Sequence, residues 1–277
     1  MFASFLITFR EGLEAFLLVG IILSCLSKLN ARQYNRYVYY GVMAGVILSL
    51  AVAFVFQMLI NEFDNELYQQ YLTIAILLFA VGVLTYMVIW MQKQIKHMTF
   101  RLEEDISRMV TTGNLIGMVF LAFLAVMREG LETILFLSAL MYSGNSFSPG
   151  GAMSGAVLGL AGSLTLVYTI FKGTRKISLK VLFKYSGLLL IIIAAGLFSS
   201  SINIMQSVNW LPVWLESIFD ISWILDDRGN LGTFLRALFG YNSSPTLLQF
   251  VVWILYLSTF IFIWKKAYRK NINISSS

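Results

Sequence analysis

The sequence has little of what water-soluble chemistry uses. Only 12 % of its 277 residues are charged and 58 % are hydrophobic, whereas a soluble domain carries about 25 % charged residues. One cysteine, Cys25, excludes an intramolecular disulfide and a thiolate metal cluster; in the apolar end of a helix it reads as inert packing. One histidine, His97, follows Lys93 and Lys96 and has no second imidazole to share a metal with. Three prolines and no long polar tract leave no room for a disordered tail or a tethered soluble domain within these residues. No Gly-rich phosphate loop of the GxxxxGK type occurs, so no ATP site is expected. The start lacks a basic region, and Arg10, Glu11 and Glu14 interrupt its apolar run, so a retained span is expected rather than a cleavable signal peptide.

What the sequence has is length of apolar chain. Runs near the roughly 20 residues that cross a bilayer occur at about 2–27, 38–60, 71–91, 115–142, 152–171, 185–206 and 247–264. The formal charge of +6 follows membrane topology rather than nucleic-acid binding: 16 of the 20 basic residues fall at 28–37, 92–114, 172–184 and the tail. By the positive-inside rule the N-terminus is outside and the C-terminus cytoplasmic. The opposite loop 61–70 carries Glu62, Asp64 and Glu66 without a base, and the long loop 207–246 adds Glu216, Asp220, Asp226 and Asp227. Acids at an outer mouth raise the local cation concentration. Ordinary loop solvation explains them as well.

Two of the apolar runs contain the same five residues, Arg10-Glu11-Gly12-Leu13-Glu14 and Arg128-Glu129-Gly130-Leu131-Glu132. On a helix the Arg and both Glu of each copy fall within an arc of about 100°, with only apolar residues one turn above and below. Ionised groups at membrane depth cost a few kcal/mol or more and mark pathways. Arginine can pair with the glutamate one turn on, but four carboxylates against two guanidiniums leave a formal charge of −2. That surplus asks for a cation. Carboxylates are hard ligands, which leaves ferric iron, calcium, magnesium or manganese open and disfavours soft metals. An enzyme of the di-metal carboxylate class would add Glu-x-x-His histidines, and none is present. The bland alternative, buried ion pairs that fix helix register, leaves the excess acid unexplained.

The motifs are 118 residues apart with three runs from one to the next, and the same offset pairs Gly41 with Gly159 and Gly45 with Ser163. Three crossings reverse direction, so tandem three-span units are inverted, the plan of many secondary transporters. The expected fold is an all-α polytopic membrane protein of seven transmembrane helices: two inverted three-helix repeats plus one extra helix. Repeat one spans about 1–91, a cytoplasmic loop 92–114, repeat two 115–206, an outer loop 207–246, the seventh helix 247–264 and a cytoplasmic tail 265–277. Gly151, Gly155 and Gly159, like Gly41 and Gly45, read as small-residue ridges for helix contact, and Gly12 and Gly130 as close packing behind the acids. Twelve methionines are scattered; Met87 and Met91 share a face and read as packing rather than a copper relay.

The doubled Arg-Glu-Gly-Leu-Glu phrase in the first and fourth spans resembles the oxidase-dependent iron permeases, and their bacterial EfeU-type branch in particular. Asp220-Ile-Ser222, then Leu238-Phe-Gly240-Tyr241 and Pro245, also look like that branch's outer loop. The resemblance covers essentially the whole chain. It implies a non-enzymatic permease of the cell membrane that imports ferric iron after oxidation at the outer face. It implies Glu11, Glu14, Glu129 and Glu132 as iron ligands, with Arg10 and Arg128 as their partners. Glu62, Asp64, Glu66 and Asp220 are candidate acids of the outer mouth. Iron is then the transported substrate, no cofactor is expected, and an extracytoplasmic iron-oxidising or iron-delivering protein is the expected partner. The soluble domain fused to the N-terminus of some relatives is not expected. The alternatives are a permease for another cation, such as lead or manganese, and a membrane anchor for an iron-oxidising partner.

Overall fold

The computed structural model describes residues 1–61, 66–94, 98–142, 149–173, 179–223, 232, 235 and 240–273, of which 59–61, 91–94, 98–101, 103, 149, 179–183 and 267–273 are described at the backbone alone. All regular structure among them is helical. Seven long helices coincide with the apolar runs: α1 (Phe2–Lys28), α2 (Asn35–Asn61), α3 (Glu66–Gln94), α5 (Leu115–Tyr142), α6 (Pro149–Phe171), α7 (Leu179–Ser207) and α8 (Leu247–Asn273). The last continues as helix past residue 264, into the expected tail. Five of the seven, α2, α3, α6, α7 and α8, are long and apolar enough to cross a membrane. The other two, α1 and α5, are as long, but each carries the three ionisable residues of a motif mid-helix.

An additional helix, α4 (Met98–Thr112), occupies most of the stretch expected as the 92–114 loop. Its apolar residues Leu102, Ile106, Met109 and Val110 recur at helical spacing, while Glu104, Asp105 and Arg108 lie on the other side. Ile106 is fully buried in a cluster with Ile22, Cys25 and Leu26 of α1, Val38 of α2, and Met118 and Ala122 of α5. Gly113 ends α4 at φ +65°. Its N–H donates to Val110 O at 3.3 Å, and the Asn114 N–H donates to Met109 O at 2.9 Å, the Schellman pattern that a residue without Cβ adopts freely. Asn114 then caps α5, its Oδ1 accepting from the Gly117 N–H at 2.9 Å. α8 begins with a reciprocal cap. Thr246 Oγ1 accepts from the Gln249 N–H at 3.3 Å, and Gln249 Oε1 accepts from the Thr246 N–H at 3.1 Å. The Thr246 hydroxyl also donates to Gln206 of α7 at 2.8 Å.

The packing is crosswise. α1 lies along α6 and α2 along α5; α3 lies along α7, α8 lies against α7 and α3, and α1 meets α5. The motif of α1 sits against that of α5, while α1 residues 22–26 cluster with α5 residues 118–122. Advancing along α1 therefore means retreating along α5, and the two motif helices run antiparallel. Small residues let the crosswise pairs approach closely: Gly41 and Gly45 abut the α5 backbone at Val119 and Phe123, Gly155 abuts the backbone of Met1 just ahead of α1, and Gly159 abuts the α1 backbone at Phe5. Gly12 and Gly130 do the same behind the motifs, against Ser163 and Ser49 respectively. The main apolar core joins α3, α7 and α8 to the ends of α1 and α5, with Phe136, Leu77, Leu84 and Ala194 fully buried.

A side chain at these contacts has to displace backbone. Gly41→Val and Gly159→Val are each expected to lower stability by about 1–3 kcal/mol, the usual penalty of overpacking. Gly82→Ala in α3, where a Cβ meets nothing within 4 Å, is expected to be neutral or to gain up to about 1 kcal/mol of helix propensity. Thermal unfolding of the detergent-purified variants checks both.

Candidate metal centre

Each motif lies mid-helix, where backbone groups are already paired and its charged side chains have only each other and their neighbours as partners. In α1, Arg10 Nη1 lies 2.5 Å from Glu11 Oε1 and Nη2 lies 2.6 Å from Glu14 Oε1, with Arg10 and Glu11 only 2 % and 1 % exposed. The guanidinium thus bridges both acids of its own motif. In α5 the geometry differs. Arg128 Nε donates to Glu132 Oε1 at 2.9 Å but stands 3.9 Å from Glu129 Oε1, and Arg128 is 39 % exposed while Glu129 is 4 % exposed. The same five residues in two helices therefore give a closed motif and a half-open one.

The antiparallel contact of α1 and α5 brings the acids of both motifs together. Carboxylate oxygens of Glu11, Glu14 and Glu129 lie within 4.8 Å of one another. Oxygens that bind a hard cation at about 2.0–2.6 Å stand at most about 4–5 Å apart, so only side-chain adjustment separates this arrangement from a coordination shell. Glu132 lies outside that group, drawn to Arg128. The donor set is unsatisfied: Glu11 Oε2, Glu129 Oε2 and Glu132 Oε2 are buried with no hydrogen-bond partner, and Glu14 Oε1 faces Arg10 without the direction of a hydrogen bond. A buried acceptor left unpaired costs about 1–3 kcal/mol, more when charged. A cation placed among the Glu11, Glu14 and Glu129 oxygens would satisfy those three carboxylates at once, with Glu132 still on Arg128.

Among the described residues, two that belong to neither motif touch the arginines. Both come from α3. Arg10 Nη1 donates to Met87 Sδ at 3.2 Å, so a thioether reaches a motif face that has none in sequence; Met87 is 2 % exposed. The Arg128 guanidinium lies over the Trp90 ring, 4.7 Å from its centroid. Their spacing of three residues puts both on one face of α3, the only signal the sequence offers, and it does not say which helix that face meets. Of the expected mouth acids, Glu66 and Asp220 are exposed and are not part of the clustered group. The Ser222 hydroxyl and its N–H, the latter 2.9 Å from Asp220 Oδ1, hold the Asp220 carboxyl below the usual range. Glu62, Asp64, Asp226, Asp227 and His97 lie outside the described residues.

The profile of the Iron permease FTR1 family matches residues 1–269. The chain belongs to this iron permease family. Among curated relatives it is 35 % identical to a protein of Yersinia pestis named ferrous iron permease EfeU, over 93 % of this chain and 90 % of that one. It is 34 % identical to proteins of the same name from Escherichia coli O6:H1 and Shigella sonnei, over 93 % of this chain and 92 % of each relative. No solved structure gives a significant match. A permease family and five apolar helices of spanning length make the chain a multi-pass membrane protein.

The unequal arginines predict unequal penalties. Arg10→Gln leaves two buried acids facing each other and is expected to destabilise the chain by about 3–5 kcal/mol. Arg128→Gln removes a partly exposed pair and is expected to lose about 1 kcal/mol or less. Thermal unfolding in nanodiscs ranks them, and equal losses contradict the asymmetry.

Proposed function

We propose that the chain imports iron across the cell membrane, and that the iron passes between the two motifs, with Glu11, Glu14, Glu129 and Glu132 as its ligands and Arg10 and Arg128 as their partners. The observation that carries this is the convergence of Glu11, Glu14 and Glu129 from two antiparallel helices at the middle of apolar spans. In this reading α1 and α5 are spans as well, which makes seven, because their charges face one another rather than lipid. The packing supports two inverted repeats, α1–α3 and α5–α7. Exchanging α1 with α5, α2 with α6 and α3 with α7 maps the contacts α1–α6, α2–α5, α3–α7 and α1–α5 onto themselves. The basic loops then put the N-terminus outside and the C-terminus in the cytoplasm.

An inside-negative potential is worth about 2.3 kcal/mol per charge per 100 mV, so a cation needs no other drive to enter. The all-oxygen donor set favours the hard ferric ion, produced at the outer face by an extracytoplasmic iron-oxidising or iron-delivering partner. Glu62, Asp64, Glu66 and Asp220 are proposed to gather the cation there. A second reading, uptake of ferrous iron, is favoured by the names that the relatives carry.

In proteoliposomes holding the purified chain under an inside-negative potential, radioactive iron uptake is expected to saturate, and Glu14→Gln and Glu132→Gln are each expected to reduce it at least about tenfold, the loss that an ion-binding carboxylate worth roughly 1.4 kcal/mol gives. Offering ferric and ferrous iron separately decides between the two readings. Uptake indifferent to both substitutions excludes the motifs as the path.

Topology has its own test. The one native cysteine, Cys25, is buried. In a Cys25→Ala background, Glu66→Cys is expected to react with an impermeant maleimide from outside, and Thr112→Cys only from the cytoplasmic side.

A further inference from the structure

The two arginines differ in what holds them. Arg10 is enclosed by Glu11, Glu14 and Met87 and is 2 % exposed. Arg128 is 39 % exposed, donates to Glu132 at 2.9 Å while standing 3.9 Å from Glu129, and has its guanidinium carbon over the ring of Trp90, which is itself half-buried. The ions are therefore unevenly matched: one guanidinium stands between Glu11 and Glu14, the other takes Glu132, and Glu129 keeps an unpartnered buried oxygen beside Glu11 and Glu14. For Glu132 to become a fourth ligand it has to leave Arg128. The guanidinium is then a cation next to an incoming cation, and it needs a neighbour that attracts positive charge without competing as a carboxylate. The face of an indole does that, and Trp is the strongest such partner among aromatic side chains.

We propose that Trp90 is a positioning residue that retains Arg128 on its ring face while Glu129 and Glu132 turn to the iron, and so sets how tightly the site takes its cargo. This rests on the reading of the motifs as the iron path. The contact already exists, with the guanidinium carbon 4.7 Å from the ring centroid while Nε is 2.9 Å from Glu132, so the handover needs no large movement of Arg128. Without the ring, Arg128 falls back on the glutamates and competes with iron for them.

The test is radioactive iron uptake in proteoliposomes, in the oxidation state that the parent chain accepts. Position 90 is compared as the parent Trp, as a tryptophan fluorinated on its benzene ring, as Trp90→Phe and as Trp90→Leu. Fluorination keeps the shape of the ring and removes negative charge from its face, so a purely structural role is blind to it. The fluorinated form and Trp90→Leu are expected to raise KM about three- to thirty-fold with the maximal rate little changed, and Trp90→Phe to recover most of the loss. If Trp90→Leu does not fold, the fluorinated form decides alone. An unchanged KM in the fluorinated form, or a lower maximal rate at constant KM, overturns the proposal. Glu14→Gln in the same series separates the two levels: if it transports normally the iron path itself is misplaced, and if it is inactive while fluorination has no effect only the role of Trp90 is lost.

Discussion

Four glutamates outnumber two arginines in the middle of two apolar helices, and the rest of the structure answers that imbalance. Charges in a low-dielectric interior must be paired or solvated. Here the pairing is incomplete: Arg10 takes two acids, Arg128 takes one closely, and buried oxygens on Glu11, Glu129 and Glu132 stay unpartnered. A structure built for stability alone would match acid to base or replace both with hydrocarbon. This one sets four acids against two bases, an imbalance that a cation moving between the motifs, as proposed, would offset.

The helices that surround the motifs serve that arrangement. Crosswise packing of α1 on α6 and α5 on α2 places small residues behind each motif, so that Gly12 can meet Ser163 and Gly130 can meet Ser49. The backs of the two motif helices are thereby held close, and their acidic faces are left toward each other. Behind the arginines, α3 supplies Met87 to one and Trp90 to the other. The same helix therefore brackets both motifs, with a soft, buried contact on one side and a half-open aromatic face on the other. The same five residues thus end in unequal surroundings, with Met87 of α3 on Arg10 and Trp90 of α3 on Arg128.

Much of this is legible in the amino-acid order. The apolar runs locate the long helices to within about six residues at every end but the last, where α8 continues nine residues past 264, and the period of the motif puts three ionisable groups on one face of α1 and of α5. The roles expected of Gly41, Gly45, Gly155 and Gly159 in close helix contact match the packing. Helix α4 carries a signal too, but a masked one. Leu102, Ile106, Met109 and Val110 keep a helical period inside a polar stretch, and the basic residues just ahead of it make the whole segment resemble a charged loop. Met87 and Trp90 are not legible as site residues, because a face of α3 gains meaning only from the helix it meets. That pairing is a tertiary fact. Met87 reads as packing, and it does pack, but with its sulfur on a guanidinium.

In the proposed path both motifs hold one iron together through oxygen. X-ray absorption at the iron edge, on the purified chain loaded to its measured stoichiometry, tests it most directly. One tightly held iron per chain with an oxygen-only first shell, lost on either Glu11→Gln or Glu129→Gln, is the predicted result. Two irons per chain, one surviving each substitution, or a sulfur scatterer in the first shell, would contradict it.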